Sequence, residues 1–132
     1  MNRPGILVDT YAWIEILKNT GWGQRALTLV EGNAPVFVSV LSVYELYYVL
    51  EEKHGRDVAL SHIATILSHA EVIPVDNRIA FLGGSIKSEQ KKKKKKMGAV
   101  DCLILATAQV HNLKVLTGDL HFKGCRETID IL

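Results

Sequence analysis

The sequence predicts an α/β fold, a single domain with a central parallel sheet of about five strands and helices on both faces. Short apolar runs alternate with stretches of helical periodicity, which is the pattern of successive βαβ units. The runs Gly5-Ile6-Leu7-Val8 and Lys114-Val115-Leu116-Thr117-Gly118 read as buried parallel strands, covered on both faces. At 132 residues the chain suits one domain, long enough for a core without disulfide or metal staples.

The elements follow in order. A first strand spans about 5–9 and a helix 10–18, broken at Asn19-Thr20-Gly21; a second helix runs to about 31. Gly32-Asn33-Ala34-Pro35 is a turn before a strand at 36–40. A helix then runs to about His54, where Gly55 ends it, and another covers 57–69. A short strand is expected near 72–75, and Asp76 is placed to cap the next helix. Gly83-Gly84 should interrupt that helix, which fades into six lysines whose mutual repulsion predicts a frayed segment. Beyond Gly98 a very apolar helix, 99–111, leads to a fourth strand and then a final one at 128–132.

Composition narrows the function classes. With 48% hydrophobic and 23% charged residues, the chain is ordinary for a globular protein. No apolar stretch spans a bilayer and nothing resembles a signal peptide, so a cytoplasmic protein without a membrane partner is expected. Cys102 and Cys125 have neither zinc-finger nor redox spacing, and Cys102 reads as a buried free thiol. His54, His62 and His69 fall on or beside surface positions and form no zinc site. The net charge of +2 conceals an uneven distribution: without the six-lysine run the rest of the chain is acidic by four charges. Localised positive charge suits a polyanion, although a solvated surface is its commoner meaning.

Asp9, Glu45, Asp101 and Asp119 are the candidate site residues. Asp9 closes the first strand and Asp119 follows the fourth, so both fall at the carboxyl edge, where open α/β sheets bind ligands. Glu45 and Asp101 lie early in helices that can begin at that edge. Acids gathered without matching bases commonly hold a hard divalent cation. Each also has a plainer reading. Asp9 suits an N-cap, Asp119 a turn, and Asp101 a helix first turn, where it complements the dipole by about 0.3–1 kcal/mol. Glu45 points away from the core stripe of Val43, Leu46, Tyr47 and Leu50, which by itself favours a surface glutamate.

Together the motifs resemble the PIN-domain nuclease family. Leu7-Val8-Asp9-Thr10 is similar to its first signature, and Ser39-Val40-Leu41-Ser42-Val43-Tyr44-Glu45-Leu46 to its second. The third is matched by Gly98-Ala99-Val100-Asp101 and the Ile/Ala-rich helix that follows. The fourth is matched by Thr117-Gly118-Asp119-Leu120-His121-Phe122, with His121 where a further acid often stands. The match covers residues 1–132, in order, as one PIN-like domain, and its length is most like the toxin of a VapBC-type toxin–antitoxin pair. The resemblance implies four acids in one cleft, one or two Mg²⁺ or Mn²⁺ ions, and hydrolysis of RNA phosphodiesters. His121 weakens the case for the second ion. Thr10, Ser39, Ser42 and Thr117 are placed to orient carboxylates or water, although hydroxyls at strand ends are often turn formers. Implied partners are an RNA substrate, a cognate antitoxin and a second copy of the chain in a homodimer.

Lys91, Lys92, Lys93, Lys94, Lys95 and Lys96 closely precede Asp101 and are candidates to contact RNA phosphates. Trp13, Trp22, Tyr44, Tyr47 and Tyr48 are mostly core by spacing, some bordering a groove for a partner helix. Two alternatives remain: a housekeeping RNA-processing PIN nuclease, and a phosphoryl-transfer hydrolase or receiver-type magnesium-binding domain. The latter usually pairs two acids near its first strand, where this chain has Asp9-Thr10-Tyr11-Ala12.

Overall fold

Ile6, Leu7 and Val8 are 5%, 0% and 0% exposed and form β1 (Ile6–Val8), the middle of the sheet. The computed structural model describes residues 4–119, 122 and 128–129. In it β1 lies between β2 (Val36–Ser39) and β4 (Lys114–Leu116), with Leu7 opposite both Phe37 and Val115. β3 (Glu71–Ile73) extends one side and β5 (Thr128–Ile129) the other, giving the order β3-β2-β1-β4-β5. Every pairing is parallel. The chain therefore builds outward from β1 to β3, then crosses back to place β4 beside β1. That reversal opens a crevice at the carboxyl ends of β1 and β4.

Among the described residues six helices cover the two faces: α1 (Thr10–Lys18), α2 (Gly21–Val30), α3 (Val40–His54), α4 (Arg56–His69), α5 (Asn77–Lys92) and α6 (Ala99–His111). Alternation along β1 sends its side chains to opposite sides. Ile6 and Val8 join Trp13, Ala26, Leu46, Leu50 and Ile63 from the first four helices. Leu7 joins Val115 with Ile79, Ile104, Leu105 and Ala108 from α5 and α6. Among the described residues no helix is long and apolar enough to cross a membrane.

Several sequence expectations are adjusted. β2 stops at Ser39 because the Ser39 hydroxyl accepts the Leu41 N–H over 3.1 Å and starts α3. β3 ends at Ile73, since Pro74 has no N–H to continue a ladder. The expected break at Gly83-Gly84 is absent, and α5 runs through both. At Gly83 the missing side chain is what permits packing, because a β-carbon there would stand 2.7 Å from Leu103 Cδ2 of α6. The lysine run is not frayed at its start: Lys91 and Lys92 complete α5, and Lys93 caps it. Of the last expected strand, residues 128–129 are described and the remainder lies outside the described residues, as do His121 and Cys125. Cys102 is a buried free thiol.

Candidate active site

Asp9 is the structural centre of the site. It leaves β1 in extended conformation and caps α1, its Oδ1 accepting the Ala12 N–H over 2.9 Å. Its own N–H donates to the Leu116 carbonyl at 3.2 Å, fixing it against the end of β4. Burial leaves it 5% exposed and pushes its pKa from 3.8 to about 7. Hydrogen bonds from the Thr117 hydroxyl and the Ala12 N–H oppose that rise, while the negative charges of Asp119 and Asp101 add to it. Asp9, at the end of β1, therefore feels the charges of Asp119 beyond β4 and of Asp101 in the first turn of α6.

Thr117 holds two of them in relation. Its buried hydroxyl donates to Asp9 and accepts the Asp119 N–H at 2.9 Å. Glu45 enters from the opposite side of β1. Half-buried on α3, it accepts a hydrogen bond from the Thr10 hydroxyl to Oε1 at 2.7 Å. The surface reading of Glu45 is thus corrected: a residue adjoining Asp9 in sequence turns its carboxylate toward the same edge. Ser39 serves as the cap of α3. Ser42, one turn before Glu45, is fully buried and its hydroxyl has no hydrogen-bond partner among the described residues.

Sequence reasoning gave no role to Tyr11 or Gly118, which form one wall. A β-carbon at Gly118 would collide with Tyr11 Cε1 at 2.5 Å and crowd Trp22 Cε2 at 3.2 Å. The Tyr11 and Trp22 rings meet edge to face at 5.5 Å. The Tyr11 phenol pKa is raised, first by desolvation, then by Glu15, with Asp119 and Asp9 contributing. Only adjacency to Thr10 and Asp119 signals either residue in the sequence. Two aromatics assigned to the core by spacing are exposed instead: Tyr44 at 66% and Tyr48 at 43%, their rings 5.5 Å apart on α3. Trp13 is buried, while Trp22 and Tyr47 are half-buried.

Among the described residues, no three Asp, Glu, His or Cys side chains are drawn together tightly enough to cage an ion. The donor chemistry nevertheless fits a hard divalent cation. A buried carboxylate whose ionisation is opposed by burial and by two neighbouring acids is stabilised in its charged form by a cation.

A doubly wound α/β domain with a buried acid and acidic neighbours at its topological switch point is the class that fold and site define. The PIN-domain family model matches residues 6–126, and the chain belongs to the PIN-domain family. No curated protein matches it by sequence. Among solved structures it is similar to VapBC2 from Rickettsia felis bound to a DNA fragment from its promoter. That likeness has a TM-score of 0.79 at 22% identity, covering 95% of this chain and 98% of that one. A toxin–antitoxin complex from Klebsiella pneumoniae gives 0.77 at 23% identity, covering 96% and 97%. VapC20 of Mycobacterium tuberculosis, a Sarcin-Ricin loop cleaving toxin, gives 0.73 at 18% identity, covering 89% and 92%.

Proposed function

We propose that this chain is a metal-dependent endoribonuclease and the toxin of a toxin–antitoxin pair. The observation that carries the reading is the electrostatic coupling of buried Asp9 to Asp101 and Asp119 at the crevice between β1 and β4. Family membership supports it, as does the likeness to a Sarcin-Ricin loop cleaving toxin.

Asp9, Asp101, Asp119 and Glu45 would hold one or two Mg²⁺ or Mn²⁺ ions. Bound there, a divalent cation supplies charge neutralisation and Lewis acidity toward a phosphodiester. The chain's own residues supply orientation. Thr117 fixes the rotamer of Asp9 and the backbone entry of Asp119, and Thr10 fixes Glu45. Asp9 must lose the proton that burial favours before it serves as a ligand. Tyr11 and Trp22, packed on Gly118, close one side.

An antitoxin is the partner this reading requires, supported by structural neighbours that are toxin–antitoxin complexes. An arginine from such a partner can pair with carboxylates that otherwise hold the cation. A homodimer belongs to the same reading. The test is cleavage of total RNA in Mg²⁺ or Mn²⁺, with EDTA and the Asp101→Asn variant as controls. The expected products carry 5′-phosphates. Full cleavage in EDTA, or products ending in 2′,3′-cyclic phosphates, overturns the mechanism. Normal growth on expression of the chain alone, with no neutralising partner encoded beside it, favours a housekeeping RNA-processing nuclease.

A further inference from the structure

We infer that the lysine run is a phosphate-binding lip that draws single-stranded RNA into the acidic crevice, an inference that rests on the nuclease reading. Six consecutive lysines, all exposed, join α5 to α6. They form a defined helix end. The Lys94 N–H donates to the Lys91 carbonyl at 3.0 Å and the Lys95 N–H to the Gln90 carbonyl at 2.9 Å, the paired bonds that close a helix by reversal. The reversal places Lys94 at φ 56, a left-handed conformation that glycine adopts at no steric cost. Lysine stands there instead, so a charge is kept at a position where backbone energetics favour its loss.

The corner is also anchored from below. Met97 is 2% exposed, and the Lys87 ammonium donates to its carbonyl at 2.6 Å. Gly98 then caps α6, where a β-carbon would lie 3.9 Å from Asp101 Oδ2. Lys96 is two residues earlier, so its Cα is within about 7.6 Å of that of Gly98. The last lysines therefore border a wall of the candidate site. Among the described residues, Lys92 alone of the six is ion-paired, with Glu89 at 3.6 Å.

The charge balance explains why such a lip is needed. Outside the run the chain is acidic by four charges, and three of its acids, Asp9, Asp101 and Asp119, lie about the crevice. A phosphate backbone approaching that crevice is repelled unless nearby cations offset it. A membrane surface is the poorer match, because Met97, the apolar side chain within residues 91–98, is buried and so is not available to insert.

The test is fluorescence anisotropy with a labelled single-stranded RNA of mixed sequence, about 12 nucleotides long, in EDTA across about 50–200 mM salt. The triple variant Lys93→Ser/Lys95→Ser/Lys96→Ser should lose about two units of the log–log salt slope. That makes the affinity drop across this range about 20-fold smaller than for the unmodified chain. Lys94→Gly should melt at a higher temperature yet bind RNA more weakly, a combination that a merely structural lysine does not produce. Lys53→Ser, at the end of α3, should match the unmodified chain in slope. An unchanged slope in the triple variant overturns the inference. So does lysine-dependent sedimentation with phosphatidylglycerol vesicles when RNA binding is indifferent to the substitutions. Cleavage is scored separately: loss of the slope effect with intact Mg²⁺-dependent cleavage removes the lip alone. Lysine-dependent RNA binding without cleavage keeps the lip and removes the nuclease.

Discussion

The Thr10 hydroxyl donates to Glu45 Oε1 over 2.7 Å, a bond that spans thirty-five residues of sequence. Thr10 begins α1 directly after Asp9, while Glu45 lies on the second turn of α3. The bond therefore couples the exit of the central strand to a helix that starts at the neighbouring strand. A glutamate side chain with several rotatable bonds acquires a fixed orientation from it.

Thr10→Val removes this donor while preserving shape. The expected outcome is a 10–100-fold loss in kcat/KM, the usual range for groups that orient ligating carboxylates. Stability should change by no more than about 1.5 kcal/mol, because the carboxylate is only half-buried. Thr10→Ser should restore most of the activity. Steady-state cleavage of a defined RNA alongside thermal melts checks both parts.

Asp9 sets the pH dependence of the metal-free protein. Its pKa is about 7 folded against 3.8 unfolded, so between these values the folded chain retains a proton that the unfolded chain has released. Its contribution to stability falls as pH rises from about 4 to about 7 and is level beyond. The total cost is up to about 4 kcal/mol. Asp9→Asn removes the charge and keeps a good N-cap. In EDTA it should be more stable than the parent at pH 8 and nearly equal to it at pH 4. Equal urea midpoints at pH 8 would show that the buried charge carries no such cost.

The same proton links metal binding to pH. Below about pH 7 a cation competes with the proton on Asp9, so Mn²⁺ affinity should rise up to about tenfold per pH unit and level off above it. Calorimetric titration at pH 6 in buffers of different ionisation enthalpy should show proton release on binding. Affinity that is flat from pH 5.5 to 8 would exclude Asp9 as a ligand.

Two adjacent glycines in α5 should respond oppositely to alanine. Among the described residues nothing lies within 4 Å of a β-carbon at Gly84, so Gly84→Ala should stabilise by about 0.5–1 kcal/mol through helix propensity. At Gly83 the new methyl meets Leu103 Cδ2 at 2.7 Å, and the propensity gain is offset by overpacking of about 1–3 kcal/mol. Chemical denaturation should rank Gly84→Ala above the parent and Gly83→Ala at or below it.

Hydrophobic pattern is a local property, and by itself it determined the α/β class and the near-continuous burial of Ile6, Leu7 and Val8, while local capping and turn chemistry determined the helix-bounding roles of Gly55, Asp76 and Gly98. It also placed Asp9 and Asp119 at a strand end, because a change from apolar run to acid is visible without knowing the partners. Tertiary structure alone decided the rest. The β3-β2-β1-β4-β5 order sets β1 beside β4 and so brings Asp9, Asp101 and Asp119 within electrostatic reach. Glu45 looked like a surface residue because its orientation depends on Thr10, which helical spacing on α3 does not contain. Gly83 looked like a breaker because its purpose, close approach to Leu103, lies on another helix. The lysine run looked frayed because its like charges repel, whereas backbone hydrogen bonds closing α5 hold it in a turn. In each case the deciding interaction joins residues distant in sequence or resides in the backbone, where a residue-by-residue reading has no term for it.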